Sequence, residues 1–151
     1  MNGSRIEPAD AGDLDAVVAL AVQLWPEEQF EAMREVLHGV IGSPTQQLLV
    51  ARASGGRIVA FATLSIRTDY VEGSDSSPVG YLEGVFTEPD ARAQGIGRAL
   101  VAAGEAWAVA HGCSEMGSDA YLSNTASHAF HQAIGFSEAG RLVSFIKRIG
   151  P

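Results

Sequence analysis

Two acidic residues of the sequence lie within or at the end of predicted strands, where a carboxylate is costly without a partner. Glu83 lies inside the apolar run 79–87, and Asp119 closes the run 114–119. A carboxylate in such a position can bind an ammonium group or accept its proton. An amine with a pKa near that of free lysine, about 10.4, is mostly protonated at neutral pH, so it must lose a proton before it can act as a nucleophile. We predict that Glu83 is the general base that accepts this proton, directly or through water, and Asp119 is the alternative base. A further alternative is that either carboxylate orients the ammonium without accepting its proton.

A glycine-containing loop before the longest predicted helix could hold an anion. The loop and the residue after it are Arg92, Ala93, Gln94, Gly95, Ile96, Gly97 and Arg98. The first N–H groups of a helix have no acceptor within it, and the helix dipole favours negative charge there. The two glycines let a phosphate approach the backbone, although simple turn geometry is the alternative. The loop lacks the lysine of a P-loop and the three-glycine dinucleotide pattern.

The elements that must position these residues follow from the spacing of apolar residues. Helical spacing predicts a helix that begins after Asp10 and ends at Leu24, and further helices over 30–40, 95–111 and 125–134. Strand-forming runs lie at residues 4–8, 47–53, 57–67, 79–87 and 114–119, and a last strand region is predicted at 136–149. The predicted order is β-α-α-β-β-β-α-β-α-β.

The composition predicts one domain over residues 1–151 and excludes several classes of protein. The 151 residues are 46% hydrophobic, and the net charge of −8 disfavours nucleic acid and favours a cationic small substrate. No apolar run approaches the roughly 20 residues of a membrane span, and residues 1–10 lack a signal-peptide pattern. We expect a cytoplasmic protein without a membrane partner.

The metal-binding and thiol residues of the sequence give no pattern that predicts a role in catalysis. Cys113 is the single cysteine, which excludes an internal disulfide, and we expect it to take no part in catalysis. His38, His111 and His128 lack the spacing of metal ligands, so no metal is expected.

Two segments resemble signatures of the GNAT superfamily of N-acetyltransferases. Residues 85–97 are similar to the family's strand-to-loop signature, and residues 124–136 to its Asn-x-x-Ala-x-x-Phe-Tyr-x-x-x-Gly-Phe segment. The resemblance implies the α/β (α+β) GNAT fold, with a mixed central sheet, a splayed pair of strands and about four flanking helices. It also implies an acetyl-CoA-dependent N-acetyltransferase that needs no metal.

The family resemblance also implies which residues hold coenzyme A. The loop 92–97 and Arg98 would bind the pyrophosphate, and Asn124 would contact the pantetheine amides. The backbone of Val85, Phe86 and Thr87 would pair with the pantetheine arm. The Val85 N–H would donate to the thioester carbonyl, an interaction often worth about 3 kcal/mol to catalysis.

His131 departs from the family pattern. It occupies the place where many relatives have a tyrosine that protonates the departing thiolate. A histidine can donate a proton near neutral pH, so the role could survive. A structural histidine, or simple loss of the acid, is the alternative.

Within the superfamily, the sequence most resembles the aminoglycoside 6'-N-acetyltransferases. The resemblance is carried by the segments 24–26, 67–73, 76–84, 118–119 and 135–138. A polyamine sugar carries several ammonium groups, so a site that binds it needs separated carboxylates and a few aromatic faces. We therefore expect Glu83, Asp119 and Glu138 to converge on one cleft, with Trp25 and Tyr70 covering sugar faces and Glu72 in the adjoining loop. The bland alternatives are that Trp25 is a core anchor and that Tyr70, Glu72 and Glu138 are solvated.

The family resemblance leaves two other functions open. One is acetylation of another amine, such as a polyamine or a protein N-terminus, and the other is a sensor that binds an acyl-CoA without catalysis. The resemblance also implies a homodimer, with the C-terminal strand in the interface.

Overall fold

A computed structural model describes residues 3–151 of the chain. The chain forms two compact units, Met1–Asp119 and Ala120–Pro151. Met1 and Asn2 lie outside the described residues. Both belong to the predicted domain 1–151 and to the segment 1–10, which lacks a signal-peptide pattern. Each unit is described separately below.

The first unit is built on a mixed five-stranded sheet. Its strands are β1 (Arg5–Pro8), β2 (Gln46–Arg52), β3 (Ile58–Arg67), β4 (Val79–Thr87) and β5 (Met116–Ser118). They lie side by side in chain order. The first four are antiparallel to their neighbours, whereas β4 and β5 are parallel. The predicted mixed sheet is confirmed, with strand ends within two residues of the predicted ones.

Three helices of this unit pack their apolar faces on the sheet. They are α1 (Leu14–Leu24), α2 (Phe30–Val40) and α3 (Ile96–Ala110). The first helix begins after a 3-10 turn over Ala11–Asp13, so Asp10 precedes that turn rather than the helix itself. Helical spacing places Leu14, Val17 and Val18 on one buried face. This face lies against β3 and β4 and forms the main core with Phe61.

Small residues let α3 lie close to the sheet. A Cβ added at Gly104 would stand 2.4 Å from the side chain of Leu64, and one at Gly80 would stand 2.7 Å from Ala108. Both contacts are shorter than real Cβ atoms allow, so larger residues would push the helix away. The close approach fixes the middle and the C-terminal end of α3 on β3 and β4.

A bulge in β4 separates its two halves. Thr63 pairs with Gly84 and Leu64 with Leu82, so Glu83 is an extra residue without a partner in β3. The strand β5 pairs only with Gly80–Leu82. From Glu83 to Thr87 the edge of β4 that faces away from β3 therefore has no neighbouring strand among the described residues 3–151. The predicted splayed pair is confirmed.

The second unit contains one helix, α4 (Thr125–Ala133). The predicted strand over 136–149 is wrong, because residues 135–151 of the structure contain neither helix nor strand. A strand is stable only when a neighbour accepts its hydrogen bonds, and no described strand pairs with this segment. Its apolar side chains are exposed, with Phe145 at 90% and Ile146 at 97%.

Candidate active site

The carboxylate of Glu83 is held by an arginine from the neighbouring strand. Arg67 Nη2 lies 2.9 Å from each oxygen of Glu83, and Arg67 Nε lies 3.2 Å from Oε2. The hydroxyl of Ser65 donates to the same Oε2 at 2.5 Å. Both partners of the ion pair stay partly open to solvent, at 42% for Arg67 and 32% for Glu83. A cation that binds Glu83 must therefore compete with Arg67.

The carboxylate of Asp119 is held by a buried tyrosine of β4. The hydroxyl of Tyr81 donates to Asp119 Oδ2 at 2.5 Å. Burial, followed by this hydrogen bond, raises the pKa of Tyr81 above its ordinary value. The guanidinium of Arg67 lies over the aromatic ring of Tyr81, 3.4 Å from the ring centre. Glu83 and Asp119 thus belong to one network of contacts through Arg67 and Tyr81.

Trp25 lies against the bulge of β4. It follows the last turn of α1 and is partly buried at the edge of the main core, with its ring 6.2 Å from that of Phe61. A Cβ at Gly84 would stand 2.5 Å from the indole. The glycine therefore makes room for an aromatic face next to Glu83. Trp25 is thus packed at the edge of the core, and its contact with a sugar stays a prediction.

The loop after β3 carries the other predicted substrate residues of this unit. The hydroxyl of Tyr70 donates to Glu72 at 3.0 Å and accepts the N–H of Gly73 at 3.4 Å. Tyr70 is 77% exposed. Val71, between them, is buried against Tyr81 and Val79. The loop is thereby attached beside the network that holds Asp119.

Glu115 anchors the far end of the same loop. Its Oε1 accepts the N–H of Asp75 at 2.9 Å and the hydroxyl of Ser76. The Ser76 hydroxyl and the Asp75 N–H hold the pKa of Glu115 below its usual value. A residue just before β5 thus fixes the loop that carries Tyr70.

Sequence reasoning missed Arg67, Ser65, Tyr81 and Glu115 as parts of the site. A signal existed for the first two, since Ser65 and Arg67 alternate on β3 and therefore share a face. The pairing of that face with Glu83 depends on the bulge, which the sequence does not show.

The start of α3 has the features of an anion site. Gly95 adopts a left-handed conformation with φ of +79°, and Ala93 has φ of +62°. The first hydrogen bond of the helix runs from the Ala99 N–H to the Gly95 carbonyl. The N–H groups of Ile96 and Gly97 precede it, at the positive end of the helix dipole. These residues fit a pyrophosphate.

Arg92 ties the loop to the end of β4. Its Nε donates to the carbonyl of Thr87 at 2.7 Å, and its guanidinium lies 5.2 Å from the ring centre of Phe86. Besides its predicted role in phosphate binding, Arg92 therefore has a structural role. It fixes the loop relative to the open strand edge at Val85–Thr87.

The second unit carries three further predicted residues. Asn124 caps α4, and its side-chain oxygen accepts the N–H of Ser127 at 3.2 Å. His131 Nδ1 lies 2.7 Å from the Ser127 carbonyl, to which it donates. Glu138 pairs with Arg141 at 2.5 Å, which lowers the pKa of its carboxyl.

Cys113 is buried, and burial raises the pKa of its thiol. It is therefore held in the unreactive protonated form. Within residues 3–151, no cluster of His, Cys, Asp and Glu side chains has the arrangement of a metal site. No helix in the same range is long and apolar enough to cross a membrane.

A mixed sheet that splays between two parallel strands, beside a helix that starts in a glycine loop, defines a class of acyl-CoA-dependent transferase folds. The model of the Acetyltransferase (GNAT) family matches residues 14–136, and the chain belongs to this family. Similar curated proteins narrow the class. An aminoglycoside N(6')-acetyltransferase type 1 of Serratia marcescens is 41% identical, over 93% of this chain and 97% of its own. The Acinetobacter baumannii protein of the same name is 40% identical, over 97% and 99%.

Solved structures agree with the sequence relatives. Aminoglycoside N-acetyltransferase AAC(6')-Iy in complex with CoA superposes with a TM-score of 0.93 at 36% identity, over 99% of this chain and 97% of that one. The same enzyme in complex with the bisubstrate analogue CoA-S-monomethyl-acetylneamine gives a TM-score of 0.91 at 37% identity, over 97% and 99%. The predicted GNAT fold and the narrower resemblance are confirmed.

Proposed function

We propose that the protein transfers the acetyl group of acetyl-CoA directly to the 6'-amino group of an aminoglycoside, and so confers resistance to such antibiotics. The observation that carries this is the network of Glu83 and Asp119 beside the bulge of β4, in a chain about 40% identical to aminoglycoside N(6')-acetyltransferases. The net charge of −8 further favours a polycationic substrate.

The donor side of the site is the open edge of β4 and the start of α3. The loop 92–97 and Arg98 would hold the pyrophosphate of coenzyme A, and the backbone of Val85, Phe86 and Thr87 would hold the pantetheine arm. When bound, acetyl-CoA supplies an activated acetyl group as a thioester. The Val85 N–H would stabilise the negative charge that develops on the thioester oxygen.

Glu83 is the proposed base for the reacting amine. Its oxygens are held by Arg67 and Ser65. The ammonium of the substrate carries the same charge as Arg67 and would displace it, after which Glu83 accepts the proton directly or through water. Asp119 is the alternative base and otherwise anchors an ammonium.

The remaining predicted substrate contacts would come from loop residues and from Glu138. Trp25 would face a sugar ring beside Gly84, and the exposed Tyr70 and Glu72 would meet another ring or ammonium. Glu138 would bind a further ammonium group once it is released from Arg141.

His131 is the proposed acid for the departing thiolate. Its Nδ1 is committed to the Ser127 carbonyl, so the proton would come from Nε2 of the imidazolium. Asn124, which caps the same helix, would contact the pantetheine amides. Both proposals rest on the family resemblance of segment 124–136.

We further propose that residues 1–151 act as one acetyltransferase domain in a cytoplasmic homodimer. The family match over residues 14–136 crosses the boundary between the two compact units, which supports a single functional domain. The exposed apolar side chains of Leu142, Val143 and Phe145 support an interface that a second copy covers. Acetyl-CoA as co-substrate is compatible with the cytoplasm.

An acetyl-CoA thiol-release assay with matched panels tests the proposed function. The panels are aminoglycosides that carry a 6'-amine, linear polyamines, and peptides with free N-termini. We expect turnover with the first panel only. Turnover restricted to polyamines or peptides would instead support a different amine substrate, and coenzyme A binding without turnover of any amine would support an acyl-CoA sensor.

A further inference from the structure

Tyr81 contacts both halves of the carboxylate network. Its hydroxyl donates to Asp119 at 2.5 Å, and its ring supports the guanidinium of Arg67 at 3.4 Å. Arg67 in turn holds both oxygens of Glu83. One side chain of β4 therefore connects the two carboxylates that the reaction uses.

The packing of the ring does not require the hydroxyl. Tyr81 is 7% exposed and packs with Val71 and Val79. A Cβ at Gly117 would lie 3.1 Å from the ring, so the flat face fills the space that this glycine leaves. A phenylalanine would make the same contacts. The oxygen serves Asp119 alone, because the structure gives the Tyr81 hydroxyl no other hydrogen-bond partner among residues 3–151.

The hydrogen bond also determines how Asp119 is presented. Oδ2 accepts from Tyr81, and no other hydrogen bond to the Asp119 side chain occurs in residues 3–151. One carboxylate oxygen is thus fixed by the protein, while the other is left for a cation. Burial helps to keep the tyrosine protonated and therefore a donor.

We propose that Tyr81 is a positioning residue that sets the affinity for the aminoglycoside, with its hydroxyl holding Asp119 in the orientation that receives a substrate ammonium. The proposal rests on the proposed function. Its effect is exerted on ground-state binding, because the contact between Asp119 and an ammonium is similar before and during the reaction. The donor site, at the other end of β4, is not involved.

Tyr81→Phe tests this role, since it removes one oxygen and retains the ring under Arg67. We expect the KM for the aminoglycoside to rise about tenfold, as befits loss of a hydrogen bond to a charged group. Turnover at saturation should stay within about threefold of the parent, and the KM for acetyl-CoA should not change. Circular dichroism confirms that the variant is folded.

A double-mutant cycle with Asp119→Asn shows whether Tyr81 acts through Asp119. If it does, Tyr81→Phe in the Asp119→Asn background should change the KM by less than about twofold. Full additivity of the two substitutions would overturn the proposal. So would a single Tyr81→Phe variant whose aminoglycoside KM is unchanged, or whose turnover falls at constant KM.

The parent enzyme separates this inference from the proposed function. A parent that acetylates aminoglycosides, with a Tyr81→Phe variant of identical KM, overturns the role of Tyr81 alone. A parent that turns over no aminoglycoside overturns both proposals together.

Discussion

Two arginines of the same sheet hold carboxylates in very different surroundings. Arg52, at the end of β2, donates to Asp13 at 2.8 and 3.0 Å and to Glu7 at 2.9 Å, and its side chain is only 16% exposed. Arg67, at the end of β3, holds Glu83 with similar distances but is 42% exposed. The chemistry of the two pairs is the same, and their access to solvent differs.

The difference in burial separates a structural ion pair from a site. A buried pair loses its partner only at a large cost, because the remaining charge is left without solvation. An exposed pair contributes little to stability and can exchange one cation for another. We infer that Arg52 fixes the start of α1 on the sheet, whereas Arg67 holds Glu83 until a substrate ammonium replaces it.

The largest expected effect comes from exchanging a carboxylate for an amide in each region. Glu83→Gln keeps the shape of the side chain but cannot accept a proton, so turnover should fall about 100-fold or more, with coenzyme A affinity unchanged. The matched substitution Asp13→Asn should leave turnover within about twofold. Steady-state kinetics and calorimetric titration with coenzyme A measure both. Equal turnover of the two variants would remove Glu83 from the chemistry.

Truncation of the two arginines should reverse the order of effects in a stability measurement. Arg52→Ala should lower the Tm by roughly 5 °C or more, because it leaves the buried Asp13 without its partner. Arg67→Ala, at a more exposed pair, should change the Tm by less than about 2 °C. Differential scanning calorimetry measures both values. Similar losses in the two variants would contradict the distinction drawn from burial.

A smaller effect is expected in the pH dependence of stability. The hydrogen bonds from Arg52 hold the pKa of Asp13 below its ordinary value. The stabilisation is therefore present above the pKa of the unfolded chain, near 4, and is lost as the pH falls through the lower folded value. Asp13→Asn should flatten the fall of Tm below about pH 5. A fall of Tm below about pH 5 that is as steep in Asp13→Asn as in the parent would contradict this role of Asp13.

The two regions also show what the sequence could and could not predict. Apolar periodicity located four helices and five strands, and the glycine pair located the loop before α3. The C-terminal strand was predicted wrongly, since residues such as Phe145 and Ile146 have strand-forming character but no neighbouring strand to pair with in the described chain. Pattern reveals the tendency of a segment and not the presence of its partner.

The candidate site was predicted in the same partial way. Glu83 and Asp119 were found because acidic residues are costly in strands. Arg67 was missed because its contact with Glu83 depends on one extra residue in β4, which changes the register between Thr63 and Leu64. Tyr81 was missed because its contact with Asp119 depends on the pairing of β4 with β5. A bulge of this kind leaves no residue pattern of its own, so the network required the structure.

The position of the acetyl group on the product tests the central claim most directly. The purified protein is incubated with acetyl-CoA and an aminoglycoside that carries a 6'-amine, in parallel with a counterpart that has a 6'-hydroxyl, and both products are mapped by NMR. We predict a single N-acetyl group at the 6' position of the first compound and no N-acetylation at that position of the second. An acetyl group on a different amine of the first compound, or the absence of any product, would contradict the account.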